Sequence, residues 1–181
     1  MADHTLDMLR SAIRAMNEVV LPAVDRGHPL ALEQATLVAK ILQLLEQRLP
    51  HWPARLRVEL HDHVALARTL AADAPAVSPA VAEALADAAA RGEAALADGD
   101  ATPAQWQQAA RDLGGLVDAL VRAAQDGDAT RRRRIEAAVL AAADPVLSLH
   151  RAWFLPQGWE PDSAAVPTLE QALQRGAGAR S

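Results

Sequence analysis

The densest group of ionisable side chains is the run Glu59-Leu60-His61-Asp62-His63. Residues four apart share one face of a helix, so Glu59 and His63 are placed to hydrogen-bond or to ligate a metal together. Helical di-iron proteins use Glu-x-x-His on two helices, and neither that motif nor His-Glu-x-x-His occurs in this sequence. The run therefore favours a structural histidine over a metal ligand, and we expect no metal and no cofactor.

Four polar side chains fall on helix faces that are otherwise apolar: Asn17, Gln34, His63 and His150. Buried polar groups need hydrogen-bond partners, so these four side chains predict one internal network. We expect both histidines to be mostly buried, and at least one to bond a carboxylate or a backbone carbonyl. The alternative is that the same side chains are the polar contacts of a ligand site between the helices.

A run of four arginines, Arg131, Arg132, Arg133 and Arg134, is the clearest concentration of charge. Cations in the first turn of a helix oppose its dipole, which makes an anionic partner worth considering. Against that partner, no aromatic residues interleave with the run and the formal net charge is −5, so we expect no nucleic acid. The alternative is that these arginines are solvated and pair with Asp126, Asp128 and Glu136.

The elements that must position these residues are helices. Six stretches of roughly 20 residues carry apolar side chains at helical spacing, and no stretch alternates with the period of a strand. The predicted helices cover about 4–24, 30–49, 54–74, 79–97, 103–125 and 130–154. The connections are short, so we predict an all-α, single-domain antiparallel bundle over 1–155. An irregular tail over 156–181 would hold a short helix near Thr168–Gln174 and a disordered end from Gly176.

Individual helices differ in their apolar patterns. The first carries one stripe that should face the core: Leu6, Leu9, Ile13, Met16 and Val20. The fourth is nearly all alanine, contains Gly92, and is expected to be peripheral. Pro50 and Pro53 predict a tight turn, and Pro145 predicts a kink or break in the sixth helix.

Two turns share the pentapeptide Asp-Gly-Asp-Ala-Thr, at 98–102 and at 126–130. An aspartate-rich turn invites a calcium interpretation, but an EF-hand loop needs alternating ligands over twelve residues. We predict glycine C-caps followed by aspartate or threonine N-caps instead. At the first copy, Thr102 and Gln105 have the spacing of a capping box.

Composition excludes several kinds of chemistry. The 181 residues include no cysteine, which rules out disulfides, thiolate zinc sites, iron–sulfur clusters and a cysteine nucleophile. No Gly-x-Ser-x-Gly motif occurs, and we identify no candidate catalytic residue in the sequence. The sequence therefore favours a protein that is not an enzyme. No apolar run is long enough to span a bilayer, and the N-terminus lacks the layout of a signal peptide. These features predict a cytoplasmic protein, and one lysine against 17 arginines indicates a GC-rich bacterial genome.

One resemblance concerns the first 50 residues. Glu18-Val19-Val20-Leu21-Pro22-Ala23, followed by Leu30-Ala31-Leu32-Glu33-Gln34-Ala35, resembles the start of small, uncharacterised bacterial helical modules. Those modules are associated with phosphotransferase-like or acyl-CoA-metabolising enzymes, so the resemblance implies an accessory role. We therefore expect a non-catalytic accessory or interaction module that forms a homodimer or binds a partner enzyme. The alternative is a binding protein for a small apolar or acyl-type ligand.

Overall fold

All regular secondary structure in residues 4–174, the part of the chain that the computed structural model describes, is helical. Its six long helices are α1 His4–Ala15, α2 Pro29–Arg48, α3 Trp52–Leu70, α4 Pro79–Ala97, α5 Pro103–Ala124 and α6 Ala129–Phe154. A short α7 spans Leu169–Gln174. The all-α prediction is confirmed, and the predicted helix bounds agree to within a few residues. The predicted disorder at Gly176–Ser181 lies outside the described residues.

Two compact units make up the described chain. Unit 1 contains residues 4–52 and 153–163, and unit 2 contains residues 53–152 and 164–174. This division does not follow the predicted boundary near residue 155. The assignment of one domain to residues 1–155 and a tail to 156–181 stays a prediction.

In unit 1, α1 packs against α2, and an ion pair of 2.8 Å joins Arg10 to Glu46. The apolar stripe predicted on α1 is only partly covered: Leu6, Leu9, Ile13 and Met16 are half-buried, the other residues of α1 are exposed, and so is Val20. A π-helical turn at Met16–Val20 continues α1 and ends in the short helical turn Leu21–Ala23. Its wider hydrogen-bonding step, from i to i+5, begins after Leu6, Leu9 and Ile13, so it changes the direction of the stripe only at its last residue, Val20.

In unit 2, helices α3 to α6 enclose the apolar core. The fully buried side chains come from all four helices: Leu60, Leu70, Leu85, Leu113, Leu120, Ile135 and Leu149. The start of α3 lies near the end of α6, where Arg55 contacts His150, and the residues just after α3 lie near the start of α6, where Asp73 pairs with Arg134. These helices are therefore antiparallel, as predicted.

Helix α4 belongs to the core, so the prediction that it is peripheral is wrong. Leu85, Ala88, Ala89 and Gly92 are all buried. A Cβ atom added at Gly92 would lie 2.8 Å from Val64 Cγ2 and 3.3 Å from a Cδ of Leu60. The missing side chain therefore lets α4 approach α3 closely, and the alanines around it serve the same purpose.

The two pentapeptide turns cap their helices with different residues. Thr102 and Gln105 form the predicted capping box at α5. At α6 the cap is Asp128, whose Oδ1 accepts from the backbone N–H of Arg131 at 2.8 Å. The predicted glycine C-caps are wrong, because Gly158 is the only described residue with a positive φ. At the first turn, the side chain of Asp98 accepts from the N–H of Asp100 at 2.9 Å, which turns the chain without a left-handed residue.

Prolines change the helices less than the sequence predicts. Pro145 lies inside α6, which continues without a break from Ala129 to Phe154. The carbonyl that loses its donor belongs to Ala141, which is exposed, so water can replace the missing bond. The turn predicted at Pro50 and Pro53 is a 3-10 turn at Leu49–His51 that leads directly into α3. Among the described residues, no helix is both long and apolar enough to cross a bilayer.

Candidate functional site

His63 is a half-buried histidine whose ring bonds its own helix. Its Nδ1 lies 2.7 Å from the backbone carbonyl oxygen of Glu59. A carbonyl only accepts, so Nδ1 carries the proton. The opposite edge of the ring, which carries Nε2, faces α5, where a Cβ added at Gly114 would lie 3.5 Å from Nε2. The predicted bond from a histidine to a carbonyl is therefore confirmed, and it is a structural contact.

His150 is exposed, so the prediction that it is buried is wrong. Its Nε2 lies 3.2 Å from Nη2 of Arg55, and Nε of Arg55 donates to Glu59 at 2.7 Å. A guanidinium only donates, so Nε2 of His150 accepts. The carboxylate of Glu59 is thus engaged by Arg55, and the predicted pairing of Glu59 with His63 does not form through it.

Asn17 and Gln34 do not join the histidines. Asn17 is half-buried within the π-helical turn of unit 1, and Gln34 is exposed on α2. Within residues 4–174, no hydrogen bond joins any two of Asn17, Gln34, His63 and His150. The predicted internal network is therefore wrong. Helical spacing predicts that these four side chains lie on apolar helix faces. It does not predict whether another helix covers each of those faces.

The arginine run is mostly paired within the chain. Arg134 donates to both carboxylate oxygens of Asp73, one of them at 3.0 Å, and Arg131 lies 3.6 Å from the same carboxylate. Arg132 donates to the carbonyl of Gln125 at 2.9 Å and lies 3.8 Å from Glu136. The expected pairing with Glu136 is confirmed, but Asp73 takes the place expected for Asp126 and Asp128. Anion binding by these arginines stays a hypothesis, and Arg133 is exposed.

The contact between Asp73 and Arg134 shifts the pKa of both groups in the direction that favours their charged forms. The side-chain hydrogen bond from Arg134 is the main reason that the pKa of Asp73 is lowered, and burial opposes it. The positive charges of Arg134 and Arg131 lower that pKa further. The pKa of Arg134 is raised by the same hydrogen bond. These shifts describe an ion pair that ties the chain after α3 to α6.

A polar cleft of about 450 Å³ lies between α3 and α4, and it is not among the sites predicted from the sequence. Its lining includes Arg57, His61, Arg68 and Glu93. Arg57 donates to the carbonyl of Leu96 at 2.7 Å, and Arg68 pairs with Glu93 at 2.7 Å. Arg68 is therefore paired with a carboxylate, while Arg57 is held by a backbone carbonyl and by the Trp106 ring, 5.5 Å from its guanidinium carbon. We assign no anion to the cleft.

His61 is the one side chain of this cleft with a buried polar atom that lacks a hydrogen bond within the described chain. That atom is Nδ1, and the nearest carboxylate oxygen, on Asp62, lies 3.6 Å away. A buried N–H without an acceptor is costly, which favours the tautomer with the proton on Nε2. Arg57, His61 and Arg68 are spaced by four and seven residues, so the sequence places them on one face of α3. The cleft itself forms because α4 packs beside that face.

A small groove lies beside His63. Its volume is about 230 Å³, and it lies between α3 and α6, lined by Asp62, His63, Leu66, Val139, Ala142, Ala143 and Val146. Pockets that enclose a small molecule usually have ~300–1,000 Å³. The groove therefore has the apolar character of a ligand site and less than the usual volume.

A row of exposed apolar side chains lies on α2. We call it the α2 stripe and define it as Leu30, Leu37, Val38, Ile41 and Leu45, all of which are exposed; Leu30 is 68% exposed and Leu45 is 50% exposed. At ~100° per residue, all of them but Val38 fall within about 40° of the line through Ile41. Gln34 falls on the same line.

The opposite face of α2 packs within unit 1. Ala39 is buried there, and Glu46 accepts from Arg10 of α1 at 2.8 Å. Leu44, which lies about 60° from Ile41 around the helix, is buried as well, so the exposed apolar stripe is bordered by a covered residue on one side. An apolar face of this kind is typical of a surface that binds another molecule.

Among the described residues, no three His, Asp or Glu side chains are placed to hold a metal ion. No protein-family model matches the chain, and neither a similar curated protein nor a similar solved structure was found. The geometry of the chain is therefore the basis for assigning a function.

Proposed function

We propose that this protein is a cytoplasmic, non-catalytic helical module of bacterial origin that binds another protein chain through the α2 stripe. The observation that carries the proposal is the exposure of Leu30, Leu37, Ile41 and Leu45 on the face of α2 that is opposite α1. The partner is a second copy or an enzyme. An enzyme partner would agree with the resemblance of the first 50 residues to accessory modules.

Exposed apolar side chains concentrate on this one helix. Single exposed leucines are ordinary on protein surfaces, but a continuous row on one helix face is not. An amphipathic helix that offers such a row to a partner uses anchors at spacings of three, four and seven residues. Leu30, Leu37, Ile41 and Leu45 have these spacings.

The test compares three proteins that are expressed in and purified from the native host: the wild type, Leu45→Glu and Leu140→Glu. Leu140 is the matched control, because it is a 70% exposed leucine on α6 and lies outside the stripe. Both substitutions place a charge on an already exposed position, so circular dichroism should show the same helix content for all three proteins. Native mass spectrometry then reports the bound protein chains.

We expect the wild type and Leu140→Glu to retain a stoichiometric protein partner, which Leu45→Glu loses. The proposal is overturned if the wild type carries no partner of any kind, or if Leu45→Glu retains its partner as well as the control does.

A second candidate function is the binding of a small apolar or acyl-type ligand. The observation that favours it is the groove beside His63, whose lining is mostly aliphatic. Ala142→Phe would fill this groove, so a molecule bound there should be lost from that variant in the same native spectra. A wild-type protein that retains no small molecule would contradict this candidate function. It would not affect the proposal that the α2 stripe binds another protein chain.

A further inference from the structure

The polar side chains that line the groove beside His63 are hydrogen-bond acceptors. Nδ1 of His63 donates to the carbonyl oxygen of Glu59 at 2.7 Å, so Nε2 of the neutral ring carries a lone pair and no proton. The carboxylate of Asp62 also only accepts. The rest of the described lining is leucine, valine and alanine, so it supplies neither a cation nor a side-chain N–H or O–H group.

The Nε2 atom of His63 is open to solvent. No hydrogen bond within residues 4–174 reaches this atom. In that part of the chain, Nδ1 of His61 is the one buried side-chain nitrogen or oxygen atom that lacks a hydrogen bond. An atom of His63 that has no partner is therefore not buried, and its lone pair can accept from a bound molecule.

We propose that this groove binds a short aliphatic amine, whose ammonium group lies at Asp62 and His63 and whose chain lies along Leu66, Val139 and Val146. This inference rests on the second candidate function, because it names the chemical class of the ligand in the same groove. An ammonium group has three donors and no acceptor, so it complements a lining that only accepts. A fatty acid would bring a carboxylate to a carboxylate, and it is the poorer match.

The negative charge of the groove comes from Asp62. Its side chain is 20% exposed, and its Oδ1 lies 3.6 Å from Nδ1 of His61, which is beyond hydrogen-bond distance. A carboxylate has about four lone-pair sites, so Asp62 can bind an ammonium group alongside its other contacts. A partly buried charge is also screened less by salt than one on the open surface.

The volume of the groove limits the length of the amine. A group the size of a water molecule takes up ~30 Å³, so a groove of about 230 Å³ holds about seven such groups. The molecule n-hexylamine, a six-carbon chain with a terminal amine, has this size. Because so small a ligand makes few contacts, we expect a dissociation constant of ~1 mM.

Solution NMR with three probes of equal chain length tests the proposal: n-hexylamine, n-hexanol and n-hexanoate. Shifts of the backbone amide signals of α3 and α6 measure each affinity, and the ring nitrogen signals of His63 show which nitrogen carries the proton. The variant Asp62→Asn removes the charge and keeps the size of the side chain. Asp118→Asn is the matched control, because Asp118 is exposed on α5 and does not line the groove. Ala142→Phe fills the groove.

We expect the wild type and Asp118→Asn to bind n-hexylamine about fivefold more tightly than n-hexanol, which is the effect of one exposed ion pair. The affinity for n-hexanoate should be the lowest. In Asp62→Asn, n-hexylamine should bind only as tightly as n-hexanol does, and the affinity for n-hexanol should not change. Ala142→Phe should bind none of the three probes.

Three outcomes would overturn the proposal: equal affinity of the wild type for n-hexylamine and n-hexanol, no binding of n-hexylamine, or a proton on Nε2 of His63 at neutral pH. Preferential binding of n-hexanoate would overturn it too, but it would support the acyl-type ligand of the second candidate function. The native spectra of protein from its host test that candidate function separately. The α2 stripe belongs to unit 1, so none of these outcomes affects the proposal that it binds another protein chain.

Discussion

The two units of this protein differ in how far their apolar side chains are buried. Of the 24 buried apolar side chains in the described chain, 21 belong to unit 2. Of the 14 large apolar side chains that are exposed, 12 belong to unit 1. The difference is not one of composition, since both units are rich in leucine and alanine. It follows from how many neighbours each helix has.

A helix with neighbours on two sides buries a wide apolar arc, whereas a helix with one neighbour buries a narrow one. In unit 2, α3 to α6 surround a shared core, and small residues such as Gly92 bring the helices close together. In unit 1, α2 packs against α1 and against the turn Leu155–Gln157, and its apolar stripe is still left exposed. The comparison teaches that an apolar pattern identifies a helix face without telling whether the chain itself covers that face.

The largest expected effect tests this contrast directly with Leu113→Ala and Ile41→Ala. Leu113 is 0% exposed in the core of unit 2, so its truncation should lower the free energy of unfolding by ~2–5 kcal/mol. Ile41 is 44% exposed, and at concentrations where the protein is monomeric its truncation should change that free energy by less than ~0.5 kcal/mol. Urea unfolding followed by circular dichroism measures both. Similar losses in the two variants would mean that the stripe is covered within the monomer.

The next prediction concerns two glycines inside helices. Gly92→Ala should lower the free energy of unfolding by ~1–3 kcal/mol, because the new Cβ would lie 2.8 Å from Val64 and force α3 and α4 apart. Gly115→Ala is the matched control on α5, where no atom lies within 4 Å of the added Cβ. There the better helix propensity of alanine should raise stability by ~0.5–1 kcal/mol. The contact of α4 with α3 would be looser than described if both variants were stabilised.

Much of the fold could be predicted from local sequence, and the site could not. Helix bounds and the Thr102 capping box depend on residues within a few positions of each other, so they can be read directly. The π-helical turn at Met16–Val20 has no such local signal, and Val20, the last residue of the predicted α1 stripe, lies in this turn and is exposed. Burial of Gly92 and exposure of His150 depend on which helices become neighbours. The pairing of Asp73 with Arg134 joins residues 61 positions apart, so no pattern along the chain reveals it.

A smaller effect separates the two copies of the repeated pentapeptide. Thr102→Ala should lower the free energy of unfolding by ~1 kcal/mol, because Thr102 caps α5. Thr130→Ala should have almost no effect, because Asp128 caps α6 and Thr130 is exposed. Thermal melts with and without calcium complete the measurement, and we expect calcium to change neither variant. Equal losses at Thr102 and Thr130 would contradict the assignment of different caps to the two turns.

The smallest expected effect is the pH dependence of the ion pair that unit 2 forms between Asp73 and Arg134. Because the pKa of Asp73 is lowered in the folded protein, the folded state favours the carboxylate more than the unfolded state does. The stabilisation is therefore fully present above the ordinary aspartate pKa of ~3.9, and it is lost as the pH falls through the lower pKa of the folded state. The stability difference between the wild type and Asp73→Asn should be constant near neutral pH and shrink below about pH 4.

Arg134→Gln sharpens this last prediction, because it removes the main hydrogen bond that lowers the pKa of Asp73. In that background, the stability difference caused by Asp73→Asn should depend less on pH than it does in the wild type. The measurement is urea unfolding of the wild type, Asp73→Asn, Arg134→Gln and the double variant. Each is unfolded at neutral pH and at ~pH 3, below the ordinary aspartate pKa. An unchanged pH dependence after Arg134→Gln would mean that Arg131, 3.6 Å from the same carboxylate, is the main partner of Asp73. The segment that follows α3 would then be held to α6 by Arg131, and not by Arg134.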